Sequence, residues 1–260
     1  MTMIIDVQGL STRFGAQVLH ENLSFQVEAG EIIAIVGGSG SGKTTLLREM
    51  IMLERPAAGS IALFGQDIWK EKNEAVRKQT RQRCGVMFQG GALFSGLTVL
   101  ENVCFPLREL TTLPDDLIRE IGLLKIRLAL LPPEAANLLP AELSGGMIKR
   151  AAVARSLAMD PELLFLDEPT AGLDPLSASE FDELMLTLRA NLGLTIVIIT
   201  HDMDTLARVP DRVAFLGHKQ VLAIEPLPVL MKHPDPLIQA YFNTPRARAT
   251  IEHPHPTITE

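Results

Sequence analysis

The sequence predicts an α/β fold with a helical segment inserted between strands, and three observations lead there. Apolar runs with the length of buried parallel strands recur along the chain, at Ile32 to Val36, Leu163 to Leu166 and Ile196 to Ile199. Amphipathic helical segments alternate with them. Residues 93–160 interrupt that alternation with Leu-rich, helix-spaced sequence carrying Pro106, Pro114, Pro132, Pro133 and Pro140.

Taken in order, residues 4–36 read as short strands joined by turns. Leu23, Phe25 and Val27 alternate with polar neighbours, and Glu28-Ala29-Gly30 turns the chain into Ile32 to Val36. A glycine-rich loop and an apolar helix, Thr45 to Leu53, follow. Pro56 to Ser60 reads as a turn, Ile61 to Phe64 as a strand, and Gly85 to Phe88 as another. Between them Arg77-Lys78-Gln79-Thr80-Arg81-Gln82-Arg83 reads as a solvated helix face. After the insertion Leu163 to Asp167 is a strand. Ser177 with Glu180 forms a capping box; Phe181, Leu184, Met185 and Leu188 make one apolar helix face, which Gly193 closes. Ile196 to Thr200 is a central strand, and Val213 to Leu216 with Val221 to Ile224 flanks Gly217-His218-Lys219 as a hairpin. The last 35 residues hold seven of the 17 prolines; Asp235-Pro236 caps a short helix through Phe242, and a polar extension follows.

Composition narrows the function classes. With 47% hydrophobic and 21% charged residues in 260, the chain can bury a sizeable core. Lys and Arg number 24 against 31 Asp and Glu, a net charge of −7, which weighs against a sequence-blind nucleic-acid binder. The mean hydropathy of +0.19 invites a membrane reading. No apolar run reaches the roughly 18 residues that a spanning helix needs. Met1 to Asp6 lacks the charged and apolar segments of a signal peptide. Cys84 and Cys104 form no close metal or redox pair and read as buried thiols in a reducing compartment. His253 and His255 offer two ligands without acidic or cysteine partners, a poor metal site. The expectation is a cytoplasmic chain that does not itself span a membrane.

Three motifs carry chemistry. Gly37-Gly38-Ser39-Gly40-Ser41-Gly42-Lys43-Thr44 fits G-x-x-x-x-G-K-[ST] between a buried strand and a helix. Glycines let the backbone wrap closely around phosphates, with N–H groups and the helix N-terminus aimed at the anion. Lys43 would reach the β- and γ-phosphates, and the Thr44 hydroxyl would ligate Mg²⁺. Leu163 to Leu166 ends in Asp167 and Glu168, two carboxylates at the carboxyl edge of a sheet: Asp167 is placed for Mg²⁺, Glu168 to polarise an attacking water. Leu143-Ser144-Gly145-Gly146-Met147 opens a helix with a capping Ser and two glycines, a second helix end able to receive an anion. Two such helix ends and one γ-phosphate suggest that two chains share each nucleotide.

In this order the motifs resemble the nucleotide-binding subunit of an ABC transporter over roughly residues 3–225. The resemblance implies a P-loop NTPase cassette, with a RecA-like core, an antiparallel β subdomain and an inserted helical subdomain. The cassette would occupy residues 1–225 with its helical subdomain at about 93–160, and residues 226–260 would be a C-terminal extension. It implies ATP and Mg²⁺ as ligands, with nucleotide contacts from Gly37 through Thr44 and Thr45. Phe14, ahead of Gly15, would stack on adenine; as a lone Phe beside a strand it would otherwise be core. Gln89 in Val86-Met87-Phe88-Gln89 matches the Q-loop and would join Mg²⁺. Asp174 in Ala171-Gly172-Leu173-Asp174 matches the D-loop, and His201 the switch histidine that helps hold the water near Glu168. Ser144, Gly145 and Gly146 would face the γ-phosphate held by a second copy, so the family implies a head-to-tail homodimer. The family signature usually ends in Gln where Met147 stands, a departure bearing on inter-subunit tuning.

LSGGM, Phe88-Gln89-Gly90-Gly91-Ala92-Leu93-Phe94, Glu101-Asn102-Val103 and Phe105-Pro106-Leu107-Arg108-Glu109 further resemble the ATPases of MCE-type (Mla-like) lipid transporters. That resemblance implies an integral-membrane permease, a periplasmic MCE-domain lipid-binding protein, phospholipid as cargo, and a peripheral position on the cytoplasmic face of the inner membrane. In that setting the basic stretch at 77–83 would alternatively lie near lipid headgroups or permease loops. The tail residues Tyr241, Phe242, Arg246 and Arg248 would clasp a neighbouring chain or fray. The rivals are an ABC importer or exporter of another substrate, a soluble ABC ATPase acting on DNA or ribosomes, and a scaffold with a dead nucleotide site. Only 55 positions separate Gln89 from Ser144, leaving no room for long coiled-coil or zinc-bearing insertions. Lys43, Asp167, Glu168 and His201 are all present, against a dead site.

Overall fold

In the computed structural model, which describes residues 2–244, the chain begins with β1 (Met3–Phe14), β2 (Gln17–Glu28), β3 (Ile32–Gly37), α1 (Lys43–Met50), β4 (Ala58–Leu63) and β5 (Gln66–Asp67). Next come α2 (Glu74–Gln82), β6 (Cys84–Met87), α3 (Val99–Leu110), α4 (Asp115–Leu128), α5 (Gly145–Ser156), β7 (Leu163–Asp167) and α6 (Pro175–Leu192). The described chain closes with β8 (Thr195–Ile199), α7 (Met203–Arg208), β9 (Arg212–Gly217), β10 (Gln220–Glu225), α8 (Leu227–Leu230) and α9 (Pro236–Phe242). These elements fall into two units: the chain to Glu71 together with that from Ile198 onward, and Lys72–Val197.

The first unit holds an antiparallel sheet in the order β2-β1-β4-β5. Its first two strands are twelve residues each, longer than the short strands expected. Register shifts between Val7 and Leu10 and between Leu10 and Thr12 break the alternation that sequence patterning relies on. Gly9 and Asn22, both at positive φ, absorb them. Inward residues Val7, Leu10, Leu23, Val27, Ile61 and Leu63 are fully buried. In the same unit β3, buried throughout, pairs in parallel with β9, and β10 folds back antiparallel on β9. His218 and Lys219 make that hairpin turn at φ +48° and +66°, the backbone of a type I′ turn. The Arg212 guanidinium grips the Glu31 carboxylate (2.8 Å from Nη2 to Oε2), and Asp211 accepts from the Ile32 N–H at 2.8 Å; both fix the entry of β3 against β9. α1 stops at Met50, three residues earlier than expected, because Met52 turns into the left-handed region.

A core of Val36, Leu206, Val213, Phe215, Leu227, Leu230, Ile238 and Phe242 completes this unit. Tyr241 and Phe242 lie 5.2 and 6.2 Å, ring centre to ring centre, from Phe215. Of the two alternatives expected for the tail, fraying is therefore corrected for these two residues: Phe242 is buried and Tyr241 partly buried against the core around Phe215. Arg246, Arg248, His253 and His255 lie outside the described residues.

In the second unit β6 and β7 pair in parallel. The helical stretch packs Val99, Val103, Leu107, Ile118, Ile126, Ala151 and Ala154 into one core, with Met147 against its edge. Thr98 and Glu101 form a reciprocal capping box on α3. Asn102, fully buried, donates to the carbonyls of Phe94, Leu97 and Thr98 and accepts from the Phe94 N–H, knotting the segment before α3. On α6 the expected Ser177–Glu180 box gives way to Asp174, whose carboxylate accepts from the Ser177 N–H at 3.0 Å; Pro175 sits at the first turn, which places the helix start earlier. Gly193 closes α6 at φ +66°, and Phe181, Leu184, Met185 and Leu188 are its buried face. Along the basic stretch Arg77 and Arg81 pair with Glu74, and Arg83 with Glu162 at 2.6 Å. Both thiols are free and inert: Cys84, pushed up to about 12 by burial, bonds the Thr80 carbonyl, and buried Cys104 the Ile118 carbonyl. Among the described residues no helix is long and apolar enough to cross a membrane.

Gly85 in β6 has no room for a side chain: a Cβ would lie 2.4 Å from the Ser156 carbonyl oxygen and 2.9 Å from Leu164 Cδ1. Gly85→Ala should lower the unfolding free energy by about 1–3 kcal/mol in urea denaturation. An unchanged midpoint would show that β6 and α5 slide apart freely.

Candidate active site

The glycine loop leaves β3 at Gly37, where φ is +151° and a Cβ would meet the Leu216 carbonyl oxygen at 2.4 Å. Only glycine fits there, so the loop begins where the strand has no alternative. Gly38, Ser39 and Gly40 are exposed, and the Ser41 N–H bonds back to the Gly38 carbonyl at 3.2 Å. Gly42 caps α1 in the left-handed region at φ +95°, with no side chain to satisfy the helix N–H groups. The Lys43 ammonium folds over the loop, 2.8 and 3.1 Å from the Gly37 and Gly38 carbonyls and 3.4 Å from Ser41 Oγ. A cleft of about 240 Å³ opens here, lined by Leu19, Gly40, Gly42, Lys43, Thr44 and Thr45. A glycine loop, a helix N-terminus and a cation border one small space, an arrangement suited to cradling a polyphosphate. Phe14 ends β1 with 49% of its surface exposed, so it is not a core residue. His201 follows β8 and is exposed; Asp202, next to it, caps α7.

Beneath the cradle lies a polar cluster that reading the sequence missed. His20 and Glu49 are both fully buried. Thr12 Oγ1 donates to Glu49 Oε1 at 2.7 Å and stands 2.9 Å from His20 Nδ1. Burial pushes the Glu49 carboxyl up to about 7, with the Thr12 hydrogen bond opposing and the Glu54 charge adding. Burial likewise holds the His20 imidazole below its ordinary range, while the Ser41 carbonyl it faces acts in the other direction. The available signal was Glu49 sharing the buried face of α1 with Leu46, Leu47 and Met50.

The remaining candidates belong to the second unit. Ser144 caps α5, accepting from the Met147 N–H at 3.2 Å. Gly145 and Gly146 sit beside the D-loop segment: a Cβ on each would lie 3.7 Å from Leu173 Cδ2 and from Ser177 Oγ respectively. Hydrogen bonds from Ser177 hold the Asp174 carboxyl below the usual range. Asp167 ends β7 buried, and Glu168 follows at φ +48°, a left-handed conformation uncommon for a non-glycine residue and typical of functional turns. Lys149 of α5, also missed from sequence, is buried and donates to the Glu168 carbonyl at 3.2 Å. Burial lowers its pKa, with the charges of Glu168 and Asp167 opposing. Arg155, farther along α5, donates to the carbonyls of Gly91 (2.9 Å) and Ala92 (2.7 Å), tying the loop after exposed Gln89 to the same helix. Helix α5 therefore carries the Ser-Gly-Gly end, a bond to Glu168 and a clamp on the Gln89 loop.

A strand, a glycine loop ending in Lys-Thr and a helix define a P-loop nucleotide-binding protein. A family model described as "ABC transporter" matches residues 20–171, and the chain belongs to that family as an ATP-binding, ATP-hydrolysing cassette. It is 41% identical over 220 residues to the intermembrane phospholipid transport ATP-binding protein MlaF of Haemophilus influenzae, covering 85% of this chain and 83% of that one. MlaF of Escherichia coli K12 is 36% identical over 240 residues, covering 92% and 88%. A probable ribonucleotide transport ATP-binding protein, mkl, of Mycobacterium leprae is 36% identical over 243 residues, covering 94% and 70%. Among solved structures, the dimeric cassette MJ0796 in a post-hydrolysis state bound to ADP and Pi aligns with a TM-score of 0.78 at 30% identity, covering 86% of this chain and 99% of that one. The cbiO1 protein of Clostridium perfringens aligns with a TM-score of 0.81 at 28% identity, covering 97% and 100%.

The Glu49 carboxyl is protonated more readily folded than unfolded, so its burial costs stability above about pH 7, and the cost disappears as pH falls toward 4.5. Glu49→Gln should therefore be more stable than wild type at pH 8, with the advantage shrinking by pH 5. Thermal unfolding across that range checks it; a constant difference would mean Glu49 titrates as in water.

Proposed function

We propose that this chain is the ATP-hydrolysing subunit of a transporter that moves phospholipid between membranes. It works as two copies on an integral-membrane permease, with an MCE-domain lipid-binding protein beyond the membrane. The observation that carries the reading is the 41% identity with an intermembrane phospholipid transport ATP-binding protein, in a chain whose phosphate cradle is intact. The permease supplies the membrane span and places the chain on the cytoplasmic face of the inner membrane.

In the proposed reaction the loop amides from Gly38 through Thr44 and Thr45 hold the phosphates, and the Lys43 ammonium turns from the Gly37 and Gly38 carbonyls to the β- and γ-phosphates. The Phe14 ring supports adenine. Thr44, Gln89 and Asp167 present hydroxyl, amide and carboxylate oxygens, a donor set that suits Mg²⁺. The metal, when bound, neutralises charge on the β- and γ-phosphates. Glu168 orients the attacking water and accepts its proton as the water oxygen bonds to the γ-phosphorus and the β–γ bridging oxygen leaves with ADP. His201 hydrogen-bonds the γ-phosphate. Ser144, Gly145 and Gly146 of the second copy close over it, and Asp174 lies where the two copies meet.

Glu168→Gln should lower hydrolysis by about 100-fold or more while ATP stays bound and the chains sediment as a dimer. Brisk turnover by that variant would remove Glu168 from the role. The mkl resemblance supports a second reading, ribonucleotide transport. Purifying the chain with its native permease decides between them: co-purified phospholipid and an MCE-domain protein support the lipid reading, and a nucleotide-specific permease overturns it.

A further inference from the structure

Four observations converge on His20. It is fully buried, and its Nε2 has no hydrogen-bond partner although it faces the Ser41 carbonyl. A Cβ placed on Gly42 would fall 2.2 Å from that Nε2, so the imidazole packs directly against the Ser41–Gly42 segment of the cradle. Its Nδ1 meets Thr12 Oγ1, which bonds Glu49 Oε1 on α1, the helix that the loop itself starts. Glu49 Oε2, 3.8 Å from Nδ1, likewise lacks a hydrogen-bond partner. Buried nitrogen and oxygen atoms are seldom left this way without a purpose.

Peptide geometry supplies one. In a planar trans peptide the C=O and the following N–H point in opposite directions. If the Ser41 carbonyl points inward to His20, the Gly42 N–H points outward into the cleft. Gly42 has no Cβ and no capping side chain to hold that orientation itself. Resting on the cradle reading above, we infer that His20 is a positioning residue for phosphate binding, its Nε2 bracing the Ser41 carbonyl so that the Gly42 N–H faces the bound phosphates. A phosphate accepting from the Gly42 N–H polarises the same peptide and makes the Ser41 oxygen a better acceptor. The Nε2–H then donates to the Ser41 oxygen, in the tautomer set when a protonated Glu49 carboxyl donates to Thr12 Oγ1 and the Thr12 hydroxyl in turn donates to Nδ1.

Two amide substitutions separate this role from simple packing. Gln places its amide near the imidazole Nε2, whereas Asn ends near Nδ1 and leaves the Ser41 carbonyl unbraced. In the full-length chain His20→Asn should raise the ATP KM about tenfold with kcat within about twofold, the size expected for one hydrogen bond in an oriented site. His20→Gln should stay within about threefold of wild type, and both should unfold at similar temperatures without nucleotide. Thr12→Val, which frees the ring at Nδ1, should raise KM severalfold. The inference is overturned if Asn and Gln raise KM alike, if neither changes it, or if the KM changes follow the unfolding temperatures. A wild-type chain that shows no saturable ATP hydrolysis would instead defeat the cradle reading.

Discussion

Where β3 ends, the parallel neighbour β9 leaves no space for a side chain: the Leu216 carbonyl stands within 2.4 Å of where a Cβ on residue 37 would be. That exclusion makes Gly37 a point at which the chain can only turn, and the cradle follows from it. Its carbonyl and that of Gly38 take the Lys43 ammonium, and the turn delivers Gly42, a cap without a side chain, to the start of α1. The Arg212–Glu31 and Asp211–Ile32 contacts matter for the same reason, since they fix the register of β3 on β9 and hence the position of that carbonyl.

The second unit is organised differently, around one helix rather than one loop. Ser144, Lys149 and Arg155 lie along α5 and reach the helix's own N-terminus, the Glu168 carbonyl and the carbonyls after Gln89. Glu168 holds a left-handed backbone whose cost is of order 1–3 kcal/mol, and the Lys149 bond to its carbonyl helps keep it there. Three segments far apart in sequence thus share a rigid support.

Much of this was legible from residue order. Leu163 to Asp167 is a strand residue for residue, because an unbroken apolar run bounded by Pro161 and two carboxylates admits little else. Gly193 ends its helix because, lacking a Cβ, it turns freely into the left-handed region, and Asp235 starts its helix by accepting from the first-turn N–H groups. Legibility failed where the cause was tertiary. The bulges of β1 depend on its partner's register, and Asp174 outcompeted Ser177 as a cap because Pro175 prefers the first helical turn. Tyr241 and Phe242 read as tail, yet Phe215 takes them into a core. Among the site residues the glycine loop announces itself through spacing alone. His20, Thr12 and Glu49 form no motif, since only the pairing of β1 with β2 and the packing of α1 bring them together.

The central claim is that the Gly37–Thr44 cradle binds nucleotide through its phosphates. Calorimetric titration of the full-length chain with ATP, ADP and AMP in the presence of Mg²⁺ tests it most directly. The account predicts one saturable site per chain for ATP and ADP, no saturation by AMP at the same concentrations, and loss of ATP binding in Lys43→Ala. Equal binding of AMP and ATP, or ATP binding that survives Lys43→Ala unchanged, would contradict it.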